Sequence, residues 1–179
     1  MTDLIESFPP LARSDATRLI LGSMPGIASL EAQQYYAHPR NAFWQIMEAV
    51  LGIPPGRPYE ERVQHLLVHR IAVWDVLKTC VRSGSLDSAI DSSTMVVNDF
   101  PAFFAAHPRI ELVCFNGTHT YDVWRRHIAR TLPNPFTAIP TLRLPSTSPA
   151  HASLSLADKV TRWKQGLGFT DSRQGTEQR

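Results

Sequence analysis

The clearest signal along the chain is a repeated change of hydrophobic period. Short apolar runs bounded by Gly, Pro or Asn alternate with stretches whose apolar residues recur at helical spacing. Thr17–Leu21, Ile71–Val76, Ile110–Phe115 and Leu142–Leu144 read as strands. Asn41 opens a helix to about Leu51, with Phe43, Ile46, Met47 and Val50 on one face and Gly52 as its stop. Tyr59–His69 is a second amphipathic stretch, with Val63, Leu66 and Leu67 inward. A third helix is capped by Asn98 or Asp99, carries Pro101 in its first turn and ends at His107-Pro108. Two more are predicted over 118–131 and 154–167; in the last, Leu156, Val160, Trp163 and Leu167 share a face. Residues 1–16 lead in and are broken by Pro9-Pro10, 77–87 carry mixed signals, and 88–98 are polar without a period. Strand–helix alternation four times over predicts a single α/β domain over residues 1–169. Its four-stranded parallel sheet should carry helices on both faces. The polar end, 170–179, is expected to be disordered.

In a parallel sheet all strand carboxyl ends lie on one edge. Here those ends carry Gly22-Ser-Met-Pro-Gly26, Asp75, Asn116-Gly117 and Pro145-Ser-Thr-Ser-Pro149. The first has too few residues between its glycines for a phosphate-cradling Walker loop and lacks the Lys-Ser/Thr pair. Its Gly and Pro content suits either a tight turn or close backbone approach to a flat ligand. Tyr35-Tyr36 and Phe43-Trp44 offer aromatic faces beside Asn41, as a stacking platform for a base or simply as core. Asn41 is equally a helix cap, and Arg40 either a phosphate contact or a solvated charge. Asn116 directly follows Val-Cys-Phe, where a carboxamide is costly to bury without partners. Its amide can donate and accept in one plane. It could therefore tell uracil and hypoxanthine, with a carbonyl beside an N–H, from cytosine and adenine. The plainer reading is an Asn-Gly turn. The hydroxyls and free N–H groups of Pro145, Ser146, Thr147, Ser148 and Pro149 can grip phosphates or merely cap a helix.

Composition narrows the classes. The chain has 179 residues and a net charge of +2, so a nucleic-acid surface has to be a local patch. Arg dominates its cations, which suits phosphate and base contacts. Cys80 and Cys114 lie far apart; they fit a reducing cytosol and cannot by themselves ligate a cluster or a tetrahedral zinc. No apolar run is long enough to span a bilayer, and no basic-then-apolar leader is visible. There is no His-Glu-x-x-His and no Gly-x-Ser-x-Gly elbow, and a triad of Ser23, Asp75 and His151 carries little weight.

Taken together, GSMPG, QQYYAHPRNAFW, VWDVLKTCVRSGSLDSAI, NDF, FNG and LPSTSPA resemble the uracil-DNA glycosylase superfamily. The likeness runs from about Leu19 to Ala150 and is greatest to the hypoxanthine-DNA (deoxyinosine) glycosylase-like branch. It implies a three-layer α/β/α sandwich and monofunctional excision of a deaminated base from damaged double- or single-stranded DNA. It further implies no cofactor, no metal, no membrane, a monomer, and a cytoplasmic, nucleoid-associated place in a bacterial or archaeal type of cell. Mismatch-specific relatives hold a water-positioning Asn where this chain has Met24. By resemblance the catalytic residue is instead Asn41, Phe43 stacks on the base, and Asn116 reads its edge. Tyr36, Ser23 and Met24 then complete the base site. Pro145, Ser146, Thr147, Ser148, Arg40 and His151 contact DNA. His151 stands where the branch usually has Asn, and the branches with clustered cysteines are excluded by cysteine count.

Overall fold

The structure is a computed structural model that describes residues 4–169; the expected tail at 170–179 lies outside the described residues. In chain order the elements are β1 (Leu4–Glu6), β2 (Arg18–Gly22), α1 (Ile27–Ala32), α2 (Phe43–Leu51), α3 (Tyr59–Val68), β3 (Ile71–Asp75) and β4 (Leu77–Val81). Then come β5 (Val96–Val97), α4 (Phe100–Ala106), β6 (Leu112–Asn116), α5 (Thr118–His127), β7 (Thr141–Leu144) and α6 (Leu156–Gly166).

The four strands expected from the apolar runs form one sheet in the order β3-β2-β6-β7, all parallel. Period-2 alternation sorts their side chains into two cores. Leu19, Leu21, Ala72, Trp74, Val113 and Phe115 face α4 and α5. Ile20, Ile71, Val73, Cys114 and Leu144 face α2, α3 and α6. Both faces are covered, as near-continuous apolar strands require, and the result is a three-layer α/β/α sandwich. No helix among the described residues is long and apolar enough to cross a membrane.

The register brings the strand ends level. Gly22 pairs with Asp75, Leu21 with Phe115, and Asn116 with Leu144. Asp75, Gly22, Asn116 and Leu144 therefore form one transverse row at the carboxyl edge. The strand order reverses between β2 and β6, which is where open α/β sheets leave a crevice.

Three features depart from the sequence reading. A small antiparallel sheet, β1-β4-β5, is built from the lead-in segment and from the 77–98 stretch that showed no usable period. These strands are two to five residues long, too short to display alternation. Asn98 holds this unit to the main sheet by donating from Nδ2 to the carbonyls of Asp75 (2.8 Å) and Leu77 (3.1 Å); Asp99, not Asn98, caps α4. Helix α1 was also absent from the pattern, because its six residues have no apolar stripe. Finally, Leu156 is exposed rather than inward, since α6 begins there and only its later turns reach the sheet.

Trp163 anchors that helix. It is fully buried against Phe43, and its indole N–H donates to the Pro145 carbonyl at 2.9 Å. Replacing it with Ala should cost about 3–5 kcal/mol in urea unfolding, with a smaller loss for Phe.

Candidate active site

Gly22 ends β2 against two polar side chains. A Cβ built on it would lie 2.6 Å from Asp75 Oδ1 and 3.0 Å from Tyr36 Oη. Only glycine lets both groups sit over this backbone. The following turn, Ser23–Gly26, runs along one side of a cavity of about 660 Å³. Tyr35, Tyr36, His38 and Asn41 form a second side, and Asn116 to His119 with Pro145 to His151 form the third. Asp75 and the Ser85–Ser88 loop complete the lining. All four strand ends thus open into one space, of a size that suits a nucleotide-sized ligand.

Thr147 joins three of these segments. Its backbone N–H donates to Asn116 Oδ1 (2.9 Å), its hydroxyl accepts from Asn116 Nδ2 (2.9 Å), and its carbonyl accepts from the Ala42 N–H (2.9 Å). Because a backbone N–H must meet an oxygen, this pairing also fixes which way the Asn116 amide points. Thr147 thus engages both heavy atoms of the amide through which Asn116 was expected to read a base edge. What remains is the second N–H and the second lone pair.

Phe43 needs correction. It is fully buried and does not line the cavity, because it opens α2 and packs edge-on to Trp44 and Trp163. Tyr36 stacks on it, with ring centroids 4.0 Å apart and 19° between planes. The aromatic wall facing the cavity is therefore Tyr36, held in the left-handed region at φ 55° with Phe43 as its backing. Asn41 lines the cavity and spends one lone pair of Oδ1 on the Phe43 N–H (3.0 Å); the N-cap of α2 is the next residue, Ala42, so Asn41 lies one position ahead of the cap expected of it. Arg40 is exposed and outside the lining, because its turn directs the next residue, Asn41, inward instead. Ser23, Met24, Pro145, Ser146, Thr147, Ser148 and His151 all line the cavity.

Ser23, Asp75 and His151 form no triad. Ser23 Oγ donates to Asp87 Oδ1 (2.7 Å), and His151 Nε2 faces Ser153 Oγ (3.3 Å). Lys159, buried in α6, donates to the His151 carbonyl (2.7 Å) and braces the end of the hydroxyl-rich loop.

Buried polar atoms in folded proteins nearly always have partners. Around this cavity Asp75 Oδ2, Tyr36 Oη and His119 Nε2 have none. Burial pushes the Tyr36 hydroxyl up, nearby Asp75 adds to this, and the Asn116 amide opposes it. Burial and the Asp87 charge push Asp75 up to about 7, with Arg82 opposing. Arg82 is itself buried and donates to the carbonyls of Pro25 and Gly84. Among the described residues no group of three or more His, Cys, Asp or Glu side chains is placed to hold a metal ion.

The family model for the uracil DNA glycosylase superfamily matches residues 9–165. The chain belongs to that superfamily. It is similar to the hypoxanthine DNA glycosylase of Methanosarcina acetivorans, 38% identical over 111 residues, or 62% of this chain and 69% of the relative. Its similarity to the Methanosarcina barkeri hypoxanthine DNA glycosylase is 35% over 113 residues, or 63% and 70%. Among solved structures, the solution structure of a uracil DNA glycosylase candidate from Methanosarcina acetivorans superposes with a TM-score of 0.74. That match has 30% identity and covers 93% of this chain and 99% of that one.

Sequence reasoning placed Asp75 at the converging strand ends but gave it no role, and it missed three further cavity residues, His38, Asp87 and His119. Asp87 and His38 sit in loops without a pattern, and His119 lies on a helix whose first turn happens to face the crevice. The His38 ring is oriented by the Arg40 N–H, which donates to its Nδ1 (3.1 Å).

Two outcomes are expected. Thr147→Val should lose about 1–2 kcal/mol through the unsatisfied Asn116 amide, while Thr147→Ser keeps most of the stability; urea melts compare them. Asp75 binds its proton more tightly folded than unfolded, so its contribution to stability falls as pH rises from about 4 through about 7. Asp75→Asn should remove that decline, on the order of a few kcal/mol, in chemical melts run at pH 5 and pH 8.

Proposed function

We propose that this protein is a monofunctional DNA glycosylase that hydrolyses the N-glycosidic bond of deaminated bases, hypoxanthine foremost, in base excision repair. The observation that carries this reading is the single cavity at the carboxyl edge of the sheet, with an aromatic wall, unpartnered polar atoms at its floor and a hydroxyl-rich loop at its rim. The names of the two Methanosarcina relatives support hypoxanthine over uracil, and a space of about 660 Å³ has room for a purine.

In this reading the enzyme draws the damaged nucleotide out of the stack, and a mismatched base costs less to extrude. Tyr36, rigid against Phe43, provides the face on which the base lies. The hydroxyls of Ser146 and Ser148, on the Thr147-clamped loop, hold the flanking phosphates. As the glycosidic bond loosens, the sugar gains oxocarbenium character. Asn41 keeps its Nδ2 and a second Oδ1 lone pair free of the Phe43 bond, enough to orient a water. An amide is no strong base, and a cationic sugar carbon does not need one. Backbone donors of the Ser23–Gly26 turn face the departing base, where negative charge would gather.

Single-turnover assays on inosine, uracil and xanthine duplexes, scored for abasic sites, test the proposal. Inosine should react fastest, and Asn41→Ala should slow it by about a hundredfold or more with little change in DNA binding. Faster uracil release would assign the enzyme to uracil. If wild type and Asn41→Ala bind DNA alike and neither releases a base, the protein is a binding module instead.

A further inference from the structure

Asp75 has no role in the scheme above, yet it is the most unusual group in the cavity. It is 4% exposed, sits in the strand-end row beside Gly22, and lines the cavity where the base would lie. Oδ2 has no partner, and Oδ1 lies over Gly22 next to Tyr36 Oη, which is also unpartnered. The main chain of Asp75 is held by Asn98, so its position is fixed from behind. A buried carboxylate with nothing to accept from costs far more than a neutral carboxylic acid in the same place, so the unpartnered group favours its protonated form.

We propose that Asp75 is a general acid, delivering a proton to a ring nitrogen of a purine bound in the cavity as its C1′–N9 bond breaks. This rests on the glycosylase reading of the same site and makes it selective for purine leaving groups. The bonding pair of C1′–N9 moves into the imidazole ring. The Asp75 O–H bond breaks, its proton goes to N7 or N3, and hypoxanthine leaves neutral. The water held by Asn41 bonds to C1′ and releases its extra proton to solvent. The Asp75 carboxylate takes a proton back from solvent once the product has gone. Uracil has less use for such a group, because the charge it carries away is already spread over two carbonyls.

The groups facing Asp75 agree with an acid. Asp87, from the loop after β4, accepts from Ser23, and its negative charge disfavours a second one nearby. Arg82, after β4, opposes this from the far side of the turn. Tyr35 and Tyr36, after α1, remain neutral because both hydroxyls are pushed up by burial. With its carboxyl held near 7 rather than 4, Asp75 is protonated in a useful fraction of molecules at neutral pH.

The experiment is single-turnover excision on paired inosine and uracil duplexes across a pH range of about two units either side of neutrality. For wild type, the inosine rate should fall as pH rises through about 7, while the uracil rate stays comparatively flat. Asp75→Asn, which keeps the shape, should lose about a hundredfold or more on inosine, lose its pH dependence, and change little on uracil. Because that variant could also disturb folding, wild type is assayed on 7-deaza and 3-deaza analogues of deoxyinosine. One of the two should be resistant, and it identifies the nitrogen that takes the proton. A flat wild-type inosine profile, equal losses on inosine and uracil, or ready excision of both deaza analogues each overturns the assignment while leaving the glycosylase intact. Release of no base from any duplex overturns the glycosylase reading, and Asp75 with it.

Discussion

The site depends on one clamp, the bidentate pairing of Thr147 with the Asn116 amide. Asn116 ends β6 in the middle of the sheet, while Thr147 lies in the loop after edge strand β7. Two hydrogen bonds in one plane hold that loop against the central strand, and a third, from Ala42 to the Thr147 carbonyl, holds the start of α2. Buried amide bonds of this kind are worth only about 1 kcal/mol each in net stability. They cost more when one partner is removed, because the other is then left dry and unpaired. The clamp therefore acts chiefly by fixing position. It sets the distance between Asn41, the rim of hydroxyls and the strand ends.

Around the clamp, aromatic packing does the same work with apolar surface. Trp163 ties α6 to both Phe43 and the Pro145 carbonyl, so the helix that covers the sheet also positions the loop. Phe43 backs Tyr36, and Tyr36 faces the cavity. A base stacking on Tyr36 would meet a ring that cannot recoil, which lowers the ordering cost of binding. The pairing of a rigid wall with a partnerless polar floor is characteristic of a space built to receive a planar polar molecule. Asp75, Tyr36 and His119 each leave a hydrogen-bonding atom unused there.

The chain belongs to the uracil DNA glycosylase superfamily, and the proposed site is the crevice at the carboxyl edge of the sheet. The details distribute the roles differently from the family-based expectation. Phe43 has become a support for Tyr36, and Asn116 is engaged by Thr147. Asn41 serves the helix start and the cavity at once. The absence of an Asn at Met24 is matched by a cavity whose polar floor comes from β3, through Asp75, as well as from the first turn.

Much of the fold was legible in the chain because it rests on local chemistry. Apolar runs such as Leu19-Ile20-Leu21 can be buried only as central strands, and Phe43, Ile46, Met47 and Val50 can be buried together only on a helix. The convergence of Gly22, Asp75, Asn116 and Pro145–Pro149 followed from the parallel sheet alone. The antiparallel unit was not legible, since two- to five-residue strands have no period and owe their existence to pairing partners up to 77 residues away, as between Leu4 and Val81. Nor could the sequence say which face of Phe43 is covered or which partner Asn116 chooses. It could not show that a carboxyl at the end of β3 would be dry and partnerless. Residue type states what a side chain is able to do, and local pattern states where its backbone lies. Whether it meets a ligand or a neighbour is decided by packing between distant segments, and here that decision was made by Tyr36 and Thr147.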